Sequence, residues 1–195
     1  MPLEGFFQEG RRILGDYIIS PFGEGEDELK AIADLYFVTF QEEDSSKQQA
    51  LATIRKHTGY EGFVGFQAHH KDGMLAGVAY GYTSKPGQFY REKLAAQLPD
   101  EQAQRWLSDC FEFVELAVHP DYKRRGLASN LHDMLLGETG HKTAVLTTAV
   151  DNEPAIGLYA KKGWEVIKND VPVLSEDNPQ LIMGKYLNQT NIGLD

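Results

Sequence analysis

The chain has 195 residues, 42% of them hydrophobic and 25% charged, a balance that excludes a disordered chain and leaves room for a sizeable core in one domain, residues 1–195. The formal net charge of −10 argues against nucleic-acid binding and favours a cationic or neutral partner. Cys110 is the only cysteine, which rules out an internal disulfide and a cysteine-based zinc site and fits a reducing compartment.

The first residues, MPLEGFFQEGRR, lack the apolar centre of a signal peptide. No apolar run approaches the ~20 residues needed to cross a bilayer. A cytoplasmic protein with no membrane partner is expected. Ile13–Ser20 has strand composition and Pro21 ends it. Leu29, Ile32, Leu35, Tyr36 and Phe40 recur at helical spacing, which predicts a helix over Asp27–Phe40. A second helix is expected over Ser45–His57, with Asp44 as its cap. Phe63–His69 and Met74–Thr83 are rich in β-branched and aromatic residues and flank an Asp-Gly turn, a hairpin signal. Lys85–Asp109 is polar and helix-prone and reads as an inserted helical segment. Its apolar residues Phe89, Leu94, Leu98, Trp106 and Leu107 either cover a ligand cleft or belong to a surface helix pair, the commoner fate of an insertion.

The second half alternates strands and helices. Phe111–Val118 is a strand, and Leu127, Leu131, Met134 and Leu135 form one face of the helix after it. Thr143–Val150 is a buried-type strand. Pro154–Lys161 is helical, with Asn152 near its start and Gly163 after its end. Trp164–Lys168 and Leu181–Leu187 are the closing strands, and the polar tail 188–195 is expected to fray. This order requires some parallel pairing, whereas the Asp-Gly hairpin requires antiparallel pairing. The fold class is therefore α/β, a mixed sheet with helices on both faces.

The chemistry concentrates between Glu112 and Trp164. After the strand ending at Val118, the turn Lys123, Arg124, Arg125, Gly126, Leu127, Ala128, Ser129 opens directly into a helix. Amides at such a start have no intrahelical acceptor and can hold a phosphate. Gly126 and Ala128 keep side chains small there, and the three cations add positive charge. A basic turn with one glycine is by itself usually a solvated loop.

The stretch VELAVHPDYKRRGLASNLHDMLL resembles the acyl-CoA-binding motif of the GNAT superfamily of N-acyltransferases. Leu116, Val118 and Pro120 match its strand end, and Gly126 and Ala128 match its two small positions. Lys123 stands where the family has Arg or Gln. Asn152, Ala155, Tyr159 and Gly163 match a second family signature, with Trp164 in place of the usual Phe. The resemblance implies a GNAT-like three-layer fold, mostly antiparallel, with a splayed central strand pair that receives pantetheine. It implies acetyl-CoA, or another short acyl-CoA, as co-substrate, with no metal. Leu116, Ala117 and Val118 would offer main-chain groups to pantetheine, and the Val118 amide is the candidate oxyanion donor. Residues Lys123 to Ser129 would hold the diphosphate.

The activity implied is N-acetyl transfer to a primary amine by direct attack. Tyr159 is the candidate acid for the leaving thiolate, since a phenol near pKa ~10 suits that proton; packing on its helix is the competing role. Asn152 would contact pantetheine, cap its helix, or both. Glu112 and Glu115 are the candidate bases, against the reading of polar strand residues. Strict alternation turns them to opposite faces. His69, His70 and His132 are expected to face solvent, and Cys110 to fill a small apolar space. The acceptor is a small-molecule or peptide amine, and homodimers are common among relatives. The alternative from another class is a GNAT-like module that binds CoA or an acyl-CoA as a regulatory ligand without turnover.

Overall fold

A computed structural model of the chain describes residues 7–8, 10–40, 44–173 and 177–187. The expected fraying of the tail 188–195 lies outside the described residues. The chain divides into two compact units, residues 1–82 with 115–139 and residues 83–114 with 140–195.

In the first unit β1 (Phe7–Gln8), β2 (Arg11–Leu14), β3 (Tyr17–Pro21), β4 (Val64–His70) and β5 (Leu75–Thr83) pair in sequence order, each antiparallel to the last. The single strand expected over Ile13–Ser20 is two strands. Gly15 at φ +57° turns the chain, and Ile13 pairs with Ile18 across the hairpin. The apolar run hid this because both strands are apolar and the only break in it is Gly-Asp. Helix α1 (Glu26–Phe40) opens with Glu26, Asp27 and Glu28, which complement the positive end of its dipole, and buries Leu29, Ile32, Ala33 and Leu35. Helix α2 (Asp44–Thr58) follows and takes in Asp44 as its first residue.

The second unit carries α3 (Phe89–Gln97), α4 (Asp100–Leu107), the start of β6 (Cys110–Val118), β7 (Thr143–Ala149), α6 (Glu153–Lys161), β8 (Glu165–Val171) and β9 (Gln180–Tyr186). Strand β9 lies antiparallel between β7 and β8. Among the pairings within the two units, β6 with β7 is the parallel one. Its ladder consists of Cys110↔Thr143, Phe111↔Ala144 and Glu112↔Val145, although β6 runs on to Val118 and β7 to Ala149.

The helical insertion is not a surface pair. Leu94, Leu98, Trp106 and Leu107 are buried in one cluster with Cys110, Val145 and Ile182. Each fully buried side chain of this size is worth ~1.5–3 kcal/mol, so the segment builds the core of its unit. Gly184 makes the room: a Cβ there would lie 2.6 Å from Trp106 Cζ3 and 2.5 Å from Ile167 Cδ1. Phe89 alone of the five apolar residues is exposed, at 60%.

Candidate functional site

The basic turn sits in the first unit, between the end of β6 and helix α5 (Leu127–Gly137). The His119 amide donates to the Ala76 carbonyl at 2.9 Å and holds the strand end on β5. A 3-10 turn, Pro120–Tyr122, follows, and His119 Nδ1 accepts from the Asp121 amide at 3.2 Å. His119 thus caps this turn. Lys123 is extended, Arg124 is left-handed at φ +64° and Gly126 is left-handed at φ +78°. A turn with left-handed residues of this kind can form a nest, in which successive amides converge on one concave face. Left-handed geometry at a non-glycine residue costs ~1–3 kcal/mol and gathers at sites where the surroundings enforce it.

Helix α5 begins at once. The Asn130 amide reaches the Gly126 carbonyl at 3.2 Å, and Asn130 Nδ2 donates to the same carbonyl at 2.9 Å. The amides of Leu127, Ala128 and Ser129 come before that first helical bond and have no intrahelical acceptor. Lys123, Arg124, Arg125 and Gly126 are exposed, whereas Leu127, Leu131 and Leu135 are buried. Arg125 donates to the Asp121 carbonyl at 3.0 Å and stands 5.4 Å over the Tyr122 ring. Three exposed cations thus precede, in sequence, a helix start whose amides lack intrahelical acceptors, a pattern that suits an anion cradle.

The position of α5 depends on a residue that motif reading passed over. A Cβ on Gly77 of β5 would lie 3.0 Å from Leu131 Cδ1, 3.1 Å from the Ala117 carbonyl and 3.2 Å from Leu127 Cδ2. The helix packs at glycine distance against the strand, and the start of α5 is fixed there. Of the strand residues expected to offer main-chain groups, Ala117 and Val118 are buried and Leu116 is half-buried. The Leu116 amide donates to Glu115 Oε1 at 3.1 Å, so that donor is already engaged.

Glu115 also acts on Tyr80, whose hydroxyl is held well above its ordinary pKa, first by burial and then by the Glu115 charge. The Tyr80 hydroxyl lies 3.3 Å from His57 Nδ1. Burial, with Lys56 nearby, lowers His57 to about 4 and keeps it neutral. The pair joins α2 to β5, and no local motif signals it.

In the second unit Glu112 is buried, at 1% exposure, and accepts from Ser84 Oγ at 3.0 Å. Asn152 caps α6, accepting from the Ala155 amide at 3.3 Å. Tyr159 is buried against Phe113 and Trp164 in edge-to-face contacts at 6.1 and 5.8 Å. Phe113 follows Glu112 in the strand, and alternation sends the two to opposite faces. Glu112 and Tyr159 are therefore not brought together. Burial pushes the Cys110 thiol up to about 12, and Glu112 adds to the effect.

Two histidines differ from expectation. His132 is buried, at 2% exposure, with Nδ1 2.9 Å from Asp133 Oδ1; it lies beside Leu131 on the inner face of α5. His70 is largely covered and packs on Tyr17 and Tyr122. Among the described residues no group of three or more His, Cys, Asp and Glu is placed to hold a metal.

Residues 29–164 match the model of the Acetyltransferase (GNAT) family. A GCN5-like protein acetyltransferase of Mycobacterium tuberculosis is 28% identical over 121 residues, which span 58% of this chain and 59% of that protein. The ribosomal-protein-S18-alanine N-acetyltransferase of Escherichia coli superposes with a TM-score of 0.62 at 21% identity, over 92% of this chain and 99% of that one. The yncA protein of Salmonella typhimurium, solved with its cofactor acetyl-CoA, superposes at 0.59 with 16% identity, over 91% and 98%. With the mixed, mostly antiparallel α/β architecture and the family match over most of its length, the chain belongs to the GNAT acetyltransferase family.

Proposed function

We propose that this protein is an N-acetyltransferase that moves an acetyl or other short acyl group from its CoA thioester to a primary amine. The observation that carries the reading is the turn Lys123–Gly126, with Arg124 and Gly126 left-handed, running into the start of α5, where the amides of Leu127, Ala128 and Ser129 have no intrahelical acceptor. In this reading those amides and the cations Lys123, Arg124 and Arg125 hold the diphosphate of CoA. The acetyl-CoA bound to the Salmonella relative supports the choice of ligand. In this reading main-chain groups of Leu116, Ala117 and Val118, at the end of β6, pair with pantetheine, as the resemblance to the family implies.

The amine nitrogen attacks the thioester carbonyl, forming the C–N bond. The Val118 amide stabilises the oxyanion, a contribution of roughly 3–4 kcal/mol for one such donor. The C–S bond then breaks, Tyr159 gives its proton to the thiolate, and a base accepts the ammonium proton. Glu115 is the stronger candidate base: it is half-buried beside Tyr80, whereas Glu112 is sealed in the core with Ser84. Asn152 keeps its capping role and orients the start of α6. A net charge of −10 supports a cationic acceptor. The S18 alanine named for the Escherichia coli neighbour supports an amine acceptor in general.

The test is to incubate the protein with acetyl-CoA and a pool of polyamines, amino acids and peptide N-termini, and to follow thiol release. Amine-dependent release is expected. Tight CoA binding with no release across the pool would replace the enzyme with a CoA-binding module.

A further inference from the structure

The left-handed Arg124 costs energy that the turn itself does not return, so something must hold the turn in place. The residue just before the nest is Tyr122, which is buried. Its hydroxyl donates to Asp72 Oδ2 at 2.9 Å. Asp72 belongs to the turn between β4 and β5, fifty residues earlier in the chain. The other Asp72 oxygen accepts from the Met74 amide at 2.9 Å, and His70 Nδ1 stands 2.8 Å from Oδ2. These contacts, the Met74 amide first, hold the Asp72 carboxyl at about 2, so it is an anion throughout the physiological range.

The Tyr122 ring is gripped as well. His70, His119 and Tyr17 surround it at 5.0, 5.6 and 6.2 Å between centroids. Arg125, a cation of the nest, stands over the same ring. The Asp72 turn is in turn tied to the β2–β3 turn: Lys71 Nζ donates to Asp16 Oδ1 at 3.0 Å, and the Lys71 amide to the Asp16 carbonyl at 2.9 Å. Two hairpin turns therefore brace one end of the anion cradle through a single phenol.

The geometry points to Tyr122 and Asp72 as positioning residues that hold the Lys123–Ser129 cradle in its phosphate-binding shape. Neither needs to touch the ligand. Tyr122 fixes where the nest begins and seats Arg125; Asp72 fixes Tyr122. The inference rests on the cradle reading above, and it assigns the nest's geometry to a contact distant in sequence instead of to the turn alone.

The experiment is a calorimetric titration of the full chain with free CoA, alongside acetyl-CoA kinetics, for wild type, Tyr122→Phe, Asp72→Ala and the double variant. Tyr122→Phe removes one hydroxyl and keeps the ring under Arg125, so the fold is retained. It is expected to weaken CoA binding about tenfold, the usual scale for a hydrogen bond to a charged group. The acetyl-CoA KM should rise in step, while kcat at saturation stays within about twofold. Asp72→Ala should weaken binding at least as much, and the double variant no more than Asp72→Ala alone, because both changes break the same link. Wild-type affinity in Tyr122→Phe, or a fall in kcat with KM unchanged, overturns the inference and leaves the function standing. A wild-type protein that does not bind CoA overturns both.

Discussion

Gly126 concentrates the chemistry of the cradle into one dihedral angle. At φ +78° its nearest foreign atom to an added Cβ is Asn130 Nδ2 at 3.8 Å. Space is therefore not what demands glycine there; the left-handed backbone is, and the proposed diphosphate would add a need for close approach. Gly126→Val should cost ~1–2 kcal/mol of stability through the backbone alone and weaken CoA binding by tenfold or more, about 1.4 kcal/mol or above. Urea melts and CoA titration measure the two effects separately. Tyr159→Phe preserves the ring contacts to Phe113 and Trp164 and deletes the proposed acid. Turnover should fall about a hundredfold, the lower range for a general acid, with CoA affinity unchanged. Turnover equal to wild type would move the proton donor elsewhere.

The elements show where the sequence was legible and where it was not. Long periodic segments were read within a residue or two: α1, the β4–β5 hairpin, β6, β7 and α6 all lie where spacing put them. The errors came from tertiary context. Ile13 and Ile18 read as one strand because apolar composition runs through both arms of a tight hairpin, and only the pairing separates them. The α3–α4 segment read as peripheral because polar residues dominate it, yet Leu94 and Trp106 carry its buried face. Leu94→Ala should therefore destabilise by ~2–5 kcal/mol, the cost of a core truncation. An effect under ~0.5 kcal/mol in chemical denaturation would return the segment to the surface. The turn and the start of α5 were legible because they are local, seven consecutive residues. The Tyr122–Asp72 brace and the His57–Tyr80 pair were not, since each joins residues from distant segments.

At the scale of the whole molecule, stability should follow two of the groups whose pKa folding lowers, His57 and Asp72. His57 falls from 6.5 to about 4 on burial. Between those values the unfolded chain takes up a proton that the native state refuses. The native state is therefore favoured fully above pH 6.5 and loses ground as pH falls toward 4. Asp72 is lowered from 3.8 to about 2, so its contribution is complete above 3.8 and disappears as pH drops through 2. Thermal melts at pH 7, 5.5 and 4.5 should show a steeper decline for wild type than for His57→Gln, and the same decline in both would assign the acid sensitivity to other groups.

The lone sulfhydryl has a practical corollary. Cys110 is 1% exposed and its thiol ionises only near 12, so a disulfide dye meets no nucleophile on the native polypeptide. Colour developed during a reaction then counts liberated coenzyme without a blank from the catalyst. Adding denaturant afterwards should release a single further equivalent per chain, turning the same dye into a gauge of how much of the sample was folded.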